Sequence, residues 1–188
     1  FVFAPAAEGG NYTVSAGIYE QGVVKTTPLF YVTEGQKISA LAAVNGAIDD
    51  IKDAIANNAT EIELSAAYTA LDNAITSNSA YLGVNMTMYD SLGDAKDDLL
   101  EILAEGSYTE PEDFIVALEK NTAYALIENA DETTITAVMD EYFLSFALDT
   151  SELYDEFLAL DKTSVYKKIA GEELKSDSDV KAAFEAAV

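Results

Sequence analysis

Apolar residues recur at helical spacing through most of the chain, and the first clear series follows Thr33. Its members are three or four positions apart, which places their side chains on one face of an α-helix: Leu41, Val44, Ile48, Ile51 and Ile55. Thr33 and Gln36 have the spacing of a capping box, in which each residue satisfies a backbone N–H of the other. We therefore predict a helix that begins at Thr33 and ends near residues 57–58.

A second helix is predicted immediately afterwards, because Thr60 and Glu63 repeat the capping-box spacing. Its apolar face carries Leu64, Tyr68, Leu71 and Ile75. We expect this helix to break at residues 77–79, where Ser and Asn cluster. Because the loop between the two helices is short, they should form an antiparallel hairpin over residues 33–78.

The rest of the chain is also predicted to be helical. One helix should run from Met88 to Glu105, with Leu92, Leu99, Ile102 and Leu103 facing inward. A second should begin around Pro111, which suits a first helical turn, and a third at Asp131. Shorter helices are expected over residues 151–159, 162–170 and 178–188.

Residues 1–32 have a different pattern, since apolar and small or polar residues alternate from Tyr12 to Ile18. This period of two indicates β-strands. The segment could be a small sheet packed on the helices or the end of a β domain. It could instead be an arm that pairs with a neighbouring subunit's sheet edge. The candidate subunit-interface residues are Phe1, Val2, Phe3, Tyr12, Tyr19, Phe30 and Tyr31.

These patterns predict a mainly α fold that contains an antiparallel helical hairpin and helical-bundle units. Because a short β segment precedes the helices, the predicted class of the whole chain is α+β. We divide the chain into residues 1–32, 33–78 and 79–188. Within the last region, a shift of about 66 residues superposes several apolar positions, including Leu103 on Ile169 and Leu118 on Phe184. This predicts a weak internal repeat over about 80–120 and 146–188.

Composition narrows the possible functions. Ten Lys stand against 34 acidic residues, the net charge is −24, and Arg, His, Cys and Trp are all missing. No basic surface for nucleic acid or an anionic membrane can be built from this composition. The usual general base, thiol nucleophile and zinc ligands are missing too, so an enzyme would depend mainly on carboxylates. We therefore predict no enzyme, no cofactor, no nucleic acid and no membrane insertion.

Paired carboxylates are abundant, and such groups could act in catalysis or bind a metal. Examples are Asp49/Asp50/Asp53, Asp97/Asp98 and Glu172/Glu173. They fall on predicted polar faces or beside loops, so we predict that they face solvent. Structural calcium is the one ion that remains possible, since it takes oxygen ligands, and the candidate stretches are 131–132, 149–152 and 177–179.

Two segments carry a resemblance to known proteins. Residues 59–75 begin with Ala-Thr, an acidic residue and an apolar residue, and end with the pattern Ala-x-x-x-Leu-x-x-Ala-Ile. In this they resemble small helical modules of Gram-positive cell-surface proteins. Residues 148–188, which contain Tyr154-Asp155 and Asp161-Lys162, are similar to helical spacer repeats of S-layer-type and phage-associated surface proteins of Firmicutes. The resemblance implies a structural role and no catalytic residues.

These observations predict a structural or assembly module of an extracellular filament, surface layer or virion appendage. Its partners would be copies of itself or other surface or virion proteins, and strand pairing of the N-terminal arm is one way in which copies could polymerise. The alternative is a cell-surface adhesin or ligand-binding module on a helical scaffold. The chain begins at Phe1 without an initiator Met and ends inside a predicted helix, so we expect a processed or partial chain.

Overall fold

The computed structural model describes residues 10–18 and 23–188, with side chains from residue 32 onward. Most of this part is α-helix, so the predicted mainly α fold is confirmed. The strands are β1 (Gly10–Ile18) and β2 (Val23–Tyr31). The helices are α1 (Glu34–Ala56), α2 (Glu61–Leu82), α3 (Met86–Asp90), α4 (Ala95–Glu105), α5 (Pro111–Glu128), α6 (Ile135–Tyr142), α7 (Tyr154–Leu158), α8 (Lys162–Lys167) and α9 (Asp177–Ala187), with a 3₁₀ turn at Leu148–Thr150.

Strands β1 and β2 pair antiparallel in a register that runs from Gly10 opposite Tyr31 to Ile18 opposite Val23. Among the described residues the sheet holds these two strands, so each has one edge without a partner strand there. A sheet of two strands is marginally stable in water unless it gains strands or packs on another element. The α+β class of the whole chain depends on how this hairpin is used, and it stays a prediction.

Both predicted capping boxes are confirmed. Thr33 Oγ1 accepts from the Gln36 N–H at 3.3 Å, and Gln36 Oε1 accepts from the Thr33 N–H at 3.0 Å. The same exchange joins Thr60 and Glu63, at 3.4 Å and 2.8 Å. Each box satisfies N–H groups that the first turn of a helix leaves without partners. The two helices are antiparallel neighbours that pack along their length, as the short loop predicted.

The expected break at residues 77–79 is wrong, because α2 continues to Leu82. Asn78 Nδ2 donates to the Ala74 carbonyl at 2.8 Å, and Ser79 Oγ donates to the Thr76 carbonyl at 2.8 Å. These side chains therefore bond back along the helix instead of ending it. The helix ends where Leu82 is buried and Gly83 adopts a left-handed φ of 68°.

Two other boundaries differ from the prediction. The single helix over 88–105 is divided into α3 and α4 by a turn in which Gly93 has a φ of 58°. This turn resets the helical phase, so Ile102 is 50% exposed and Leu100 is buried instead. Asp131 does not begin a helix directly: its carboxylate accepts the N–H groups of Thr133 and Thr134 in a turn, and α6 starts at Ile135.

One hydrophobic core connects the α1–α2 hairpin with the helices that follow it. On the hairpin, four of the five predicted α1 positions are buried, whereas Ile55 is 57% exposed near the end of the helix. Farther along the chain, five aromatic rings pack with centroids 5.0–6.4 Å apart: Phe143, Tyr154, Phe157, Tyr166 and Phe184. Such pairs add about 0.5–1.5 kcal/mol each beyond area burial. None of the described helices combines the length and apolarity needed to cross a bilayer.

The segment between α4 and α5 holds α1 in place. Lys52 Nζ donates to the Gly106 carbonyl at 2.6 Å, and Asn45 Nδ2 donates to the Tyr108 carbonyl at 2.8 Å. The Tyr108 ring lies over Gly106 and meets Phe114 edge-on, with centroids 5.1 Å apart. A Cβ on Gly106 would lie 2.3 Å from the Tyr108 hydroxyl oxygen, so this approach requires glycine.

We predict that Gly106→Ala destabilises the protein by about 1–3 kcal/mol, because the new methyl group must displace the Tyr108 ring. Gly46→Ala is the matched control. Gly46 is exposed within α1, and a Cβ there meets nothing within 4 Å. This control should gain about 0.5–1 kcal/mol from helix propensity. Urea denaturation followed by circular dichroism measures both variants, and equal stability of the two would contradict the packing argument.

Candidate functional site

The predicted subunit-interface residues fall where the structure gives no side-chain detail. Phe1, Val2, Phe3 and Tyr19 lie outside the described residues. Only the backbone is described for Tyr12, Phe30 and Tyr31, whose Cα partners in the hairpin are Leu29, Asn11 and Gly10. The interface therefore stays a prediction.

The lysines form the most consistent feature of the helical part. Ten are present in the sequence, and nine of them, all except Lys25, have described side chains. Each of these nine ammonium groups lies within ion-pair or hydrogen-bond distance of an oxygen. Six have a carboxylate and no carbonyl as partner: Lys37, Lys96, Lys162, Lys167, Lys175 and Lys181. Lys52 and Lys168 bond a backbone carbonyl, and Lys120 bonds both kinds of oxygen.

The first polar cluster joins α2, α3 and α4. The Tyr89 hydroxyl donates to Asp72 Oδ1 at 2.8 Å, and Lys96 Nζ lies 3.5 Å from the same oxygen. The ammonium also sits 4.4 Å from the centre of the Tyr89 ring, where a cation–π attraction adds to the ion pair. Tyr89 is only 1% exposed, so its hydroxyl needs this acceptor.

The second cluster has the same parts and joins α5 to α9. The Tyr124 hydroxyl donates to Asp177 Oδ1 at 2.6 Å, while Lys120 Nζ donates to Asp177 Oδ2 at 2.9 Å. Lys120 also donates to the Ser145 carbonyl and lies 4.8 Å from the Phe146 ring centre. Phe146 stacks on Tyr124 with centroids 5.8 Å apart. One lysine and one tyrosine on the same helix thus hold the first turn of α9.

In both clusters the tyrosine phenol keeps its proton at neutral pH and donates a hydrogen bond to the aspartate. Burial raises the pKa of the Tyr89 phenol, and the hydrogen bond to Asp72 raises it further. Burial and the Asp177 hydrogen bond raise the pKa of Tyr124 in the same way. For Asp177 burial acts upward, but the hydrogen bonds from Tyr124 and Lys120 outweigh it and lower the pKa. The phenols therefore stay protonated donors and the carboxylate stays an ionised acceptor.

The paired carboxylates are confirmed to face solvent, since Asp49, Asp50, Asp53, Asp97, Asp98, Glu172 and Glu173 are all exposed. In the part of the chain with described side chains, no three acidic residues gather as a metal ion would require. Carboxylates in two of the proposed calcium stretches have other partners. Asp131 bonds Thr133 and Thr134, which lowers its pKa to about 2, and Asp177 bonds Lys120 and Tyr124.

Grooves open on the described surface, and two of them have volumes of about 400 Å³. The groove between α4 and α5 has a volume of about 390 Å³, and Asp98, Glu128 and Lys175 are in its lining. The other lies between α3, the end of α5 and α6, has a volume of about 420 Å³, and we call it the α3–α6 groove. Both fall in the size range of small-molecule sites, about 300–1,000 Å³.

No local signal in the sequence predicts the two polar clusters or the grooves. Asp72 and Tyr89 are 17 positions apart, and Tyr124 and Asp177 are 53 positions apart. Neither spacing belongs to a helical or strand period, so the pairs depend on how the helices pack. The grooves likewise depend on the turns before α4 and α6, which the periodicity did not place.

Comparison with known proteins adds no relative from which a site could be transferred. No family model, no curated protein and no solved structure matches the chain.

We predict that Tyr89→Phe lowers the free energy of unfolding by about 1–2 kcal/mol, because a buried hydrogen bond to a charged acceptor is lost. Tyr124→Phe is the matched variant, since it deletes the same kind of bond at a half-buried site where water can replace the phenol. Tyr124→Phe should therefore lower the free energy of unfolding by less than Tyr89→Phe does. Urea titration of both variants measures the difference, and a larger loss in Tyr124→Phe would refute the burial argument.

Stability is also expected to fall at alkaline pH. Burial raises the pKa of Tyr89, Tyr124, Tyr142 and Tyr166 in the folded chain, whereas an unfolded tyrosine titrates near about 10. The unfolded state therefore releases these protons first. The stabilisation is complete below about pH 10. It is lost as the pH rises from there toward the pKa values that these tyrosines have in the folded chain.

Melting curves taken between neutral pH and about pH 11 measure this loss. Tyrosinate absorbance of the native protein, recorded in parallel, should lag behind that of the urea-unfolded chain. Complete titration of all tyrosines near pH 10 in a protein that remains folded would contradict the prediction.

Proposed function

We propose that this chain is a non-catalytic structural or assembly module of an extracellular filament, surface layer or virion appendage. Copies would join when the N-terminal arm pairs with the exposed sheet edge of a neighbour. Partners are other copies or other surface and virion proteins. The observation that carries this proposal is the β1–β2 hairpin, whose outer edges lack partner strands among the described residues.

A free strand edge presents a row of backbone N–H and C=O groups that accept an additional strand. Each strand of the hairpin spans nine residues, long enough for several backbone bonds to an added strand. Since two strands alone are marginally stable, a third strand from another copy would stabilise the hairpin as well as join the copies.

The charge of the chain supports contact through backbone groups. Two copies at −24 repel each other, and all nine described lysines already have oxygen partners within their own chain. Few ammonium groups are therefore available to attract a neighbour's carboxylates. Strand pairing uses uncharged peptide groups and avoids this difficulty. The same charge pattern argues against nucleic acid and anionic membranes as partners.

The helical part suits the role of a spacer. Helix α1 has 23 residues, which corresponds to a length of about 35 Å. It is fastened along that length by contacts from Lys37 to Glu112, from Asn45 to Tyr108 and from Lys52 to Gly106. The resemblance of residues 59–75 and 148–188 to surface-protein spacer modules agrees with this role, and the location we propose is extracellular, on a cell surface or on a virion.

A second candidate is an adhesin or ligand-binding module on the same helical scaffold. The α3–α6 groove and the groove between α4 and α5 favour it, because each has the volume of a small-molecule site. This function differs from the first in requiring no polymer.

We predict that the purified chain forms regular polymers, and that deletion of residues 1–9 abolishes them while leaving β1 and β2 in place. Polymerisation should increase with salt concentration, because salt screens the repulsion between acidic surfaces. At near-physiological ionic strength the Debye length is already only about 8–10 Å. Negative-stain microscopy and mass photometry measure both effects.

The control is Gly46→Ala, which changes an exposed helix position and leaves the arm intact, so its polymers should match those of the unmodified chain. A stable monomer at high protein and salt concentration would overturn the assembly proposal and favour the ligand-binding module.

A further inference from the structure

The α3–α6 groove has no charged residue in its lining. Four further grooves of the described surface each have at least one carboxylate. Its floor consists of apolar side chains, among them Met88, Leu92, Leu126 and Val138, and hydroxyl and amide groups stand at the rim. An uncharged concavity of this kind is unexpected by composition alone in a chain with 34 acidic residues.

Three carboxylates that neighbour the groove in sequence form ion pairs with lysines. The pairs are Asp90 with Lys96 at 3.7 Å, Glu132 with Lys167 at 3.1 Å, and Asp140 with Lys162 at 2.7 Å. Asp131 accepts from Thr133 and Thr134, and Glu128 belongs to the lining of the α4–α5 groove. Three of the nine described lysines therefore offset carboxylates beside this groove, whereas Asp131, which accepts from threonine N–H and hydroxyl groups, keeps its negative charge.

The size of the groove distinguishes between kinds of occupant. Eleven residues line it and its volume is about 420 Å³. A stable protein–protein interface usually involves about 20–30 residues on each side, whereas small-molecule pockets begin at about 300 Å³. The dimensions therefore favour a small molecule over a folded protein partner.

We propose that the α3–α6 groove binds an uncharged, mainly apolar small molecule with one or two hydrogen-bonding groups. Its apolar part covers the floor, where contact with Met88, Leu92 and Leu126 removes apolar surface from water. Two rim groups remain available to it. The Thr87 hydroxyl has no partner within the described chain, and Asn129 uses Nδ2 on the Ala125 carbonyl while its Oδ1 can still accept.

This inference does not depend on polymer formation, and the test uses the full chain. Nile red is a suitable probe because it is neutral, mainly apolar and carries a carbonyl acceptor. Its fluorescence should rise to saturation with one site per chain. The anionic dye 8-anilinonaphthalene-1-sulfonate should bind at least about tenfold more weakly at low salt, because the field of a −24 protein repels it.

Two groove variants have matched controls. Ala137→Phe fills the groove from α6, and Ala186→Phe adds the same ring at an exposed alanine of α9 in a charged groove. Thr87→Asp puts a carboxylate at the groove rim, in the first turn of α3, where helices tolerate one. Thr69→Asp adds the same charge to a groove that already contains carboxylates. Each groove variant should weaken Nile red binding by about tenfold or more, and each control should leave it within about twofold.

Melting curves establish that each variant is folded, and the two groove variants are independent, so loss of one fold leaves the other as a test. Unchanged binding in a folded groove variant, or equal losses in the controls, would overturn the site. Equal affinity for the two dyes would overturn its preference for uncharged molecules. Displacement of Nile red by a peptide of residues 1–7 would assign the groove to the arm of another copy instead of a small molecule.

Discussion

The shortage of positive charge is the constraint on which the described structure depends. With ten lysines against 34 acidic residues, the helices repel one another wherever their polar faces approach. Apolar burial supplies the main driving force, at about 25 cal/mol per Å². Three of the lysines join different elements: Lys37 and Lys52 fasten α1 to the start of α5 and to the segment before it, and Lys120 fastens α5 to α9. Single exposed pairs contribute at most about 1 kcal/mol, so their value lies in their number and position.

Neutral hydrogen-bond donors satisfy some of the carboxylates for which there are too few lysines. Tyr89 and Tyr124 each bond an aspartate that a lysine also contacts, so one carboxylate is satisfied by one charge and one phenol. The threonines of the 131–134 turn do the same for Asp131 without any cation. Hydrogen bonding thereby leaves lysines free for other junctions, among them the pairs beside the α3–α6 groove.

Local signals in the sequence were sufficient for the start of both hairpin helices and for most of their buried faces. The caps at Thr33 and Thr60 involve residues three positions apart, so spacing alone identified them. Prediction failed where side chains bond back along a helix, as at Asn78, and where a turn resets the phase, as at Gly93. The polar clusters and the α3–α6 groove could not be predicted, because their residues meet only after helices distant in sequence have packed.

Three lysines donate to backbone carbonyls: Lys52 to Gly106, Lys120 to Ser145 and Lys168 to Ala187. A carbonyl oxygen does not titrate, so these contacts survive when acid protonates the carboxylates. Full protonation of the acidic side chains would change the formal net charge from −24 to +10, which weakens the self-repulsion. Acidic surroundings would thus remove some ion pairs while relieving the larger repulsive term. Acid therefore sets two effects against each other: it removes the stabilisation from carboxylates whose pKa is lowered, such as Asp131 and Asp177, and it relieves the repulsion between the others.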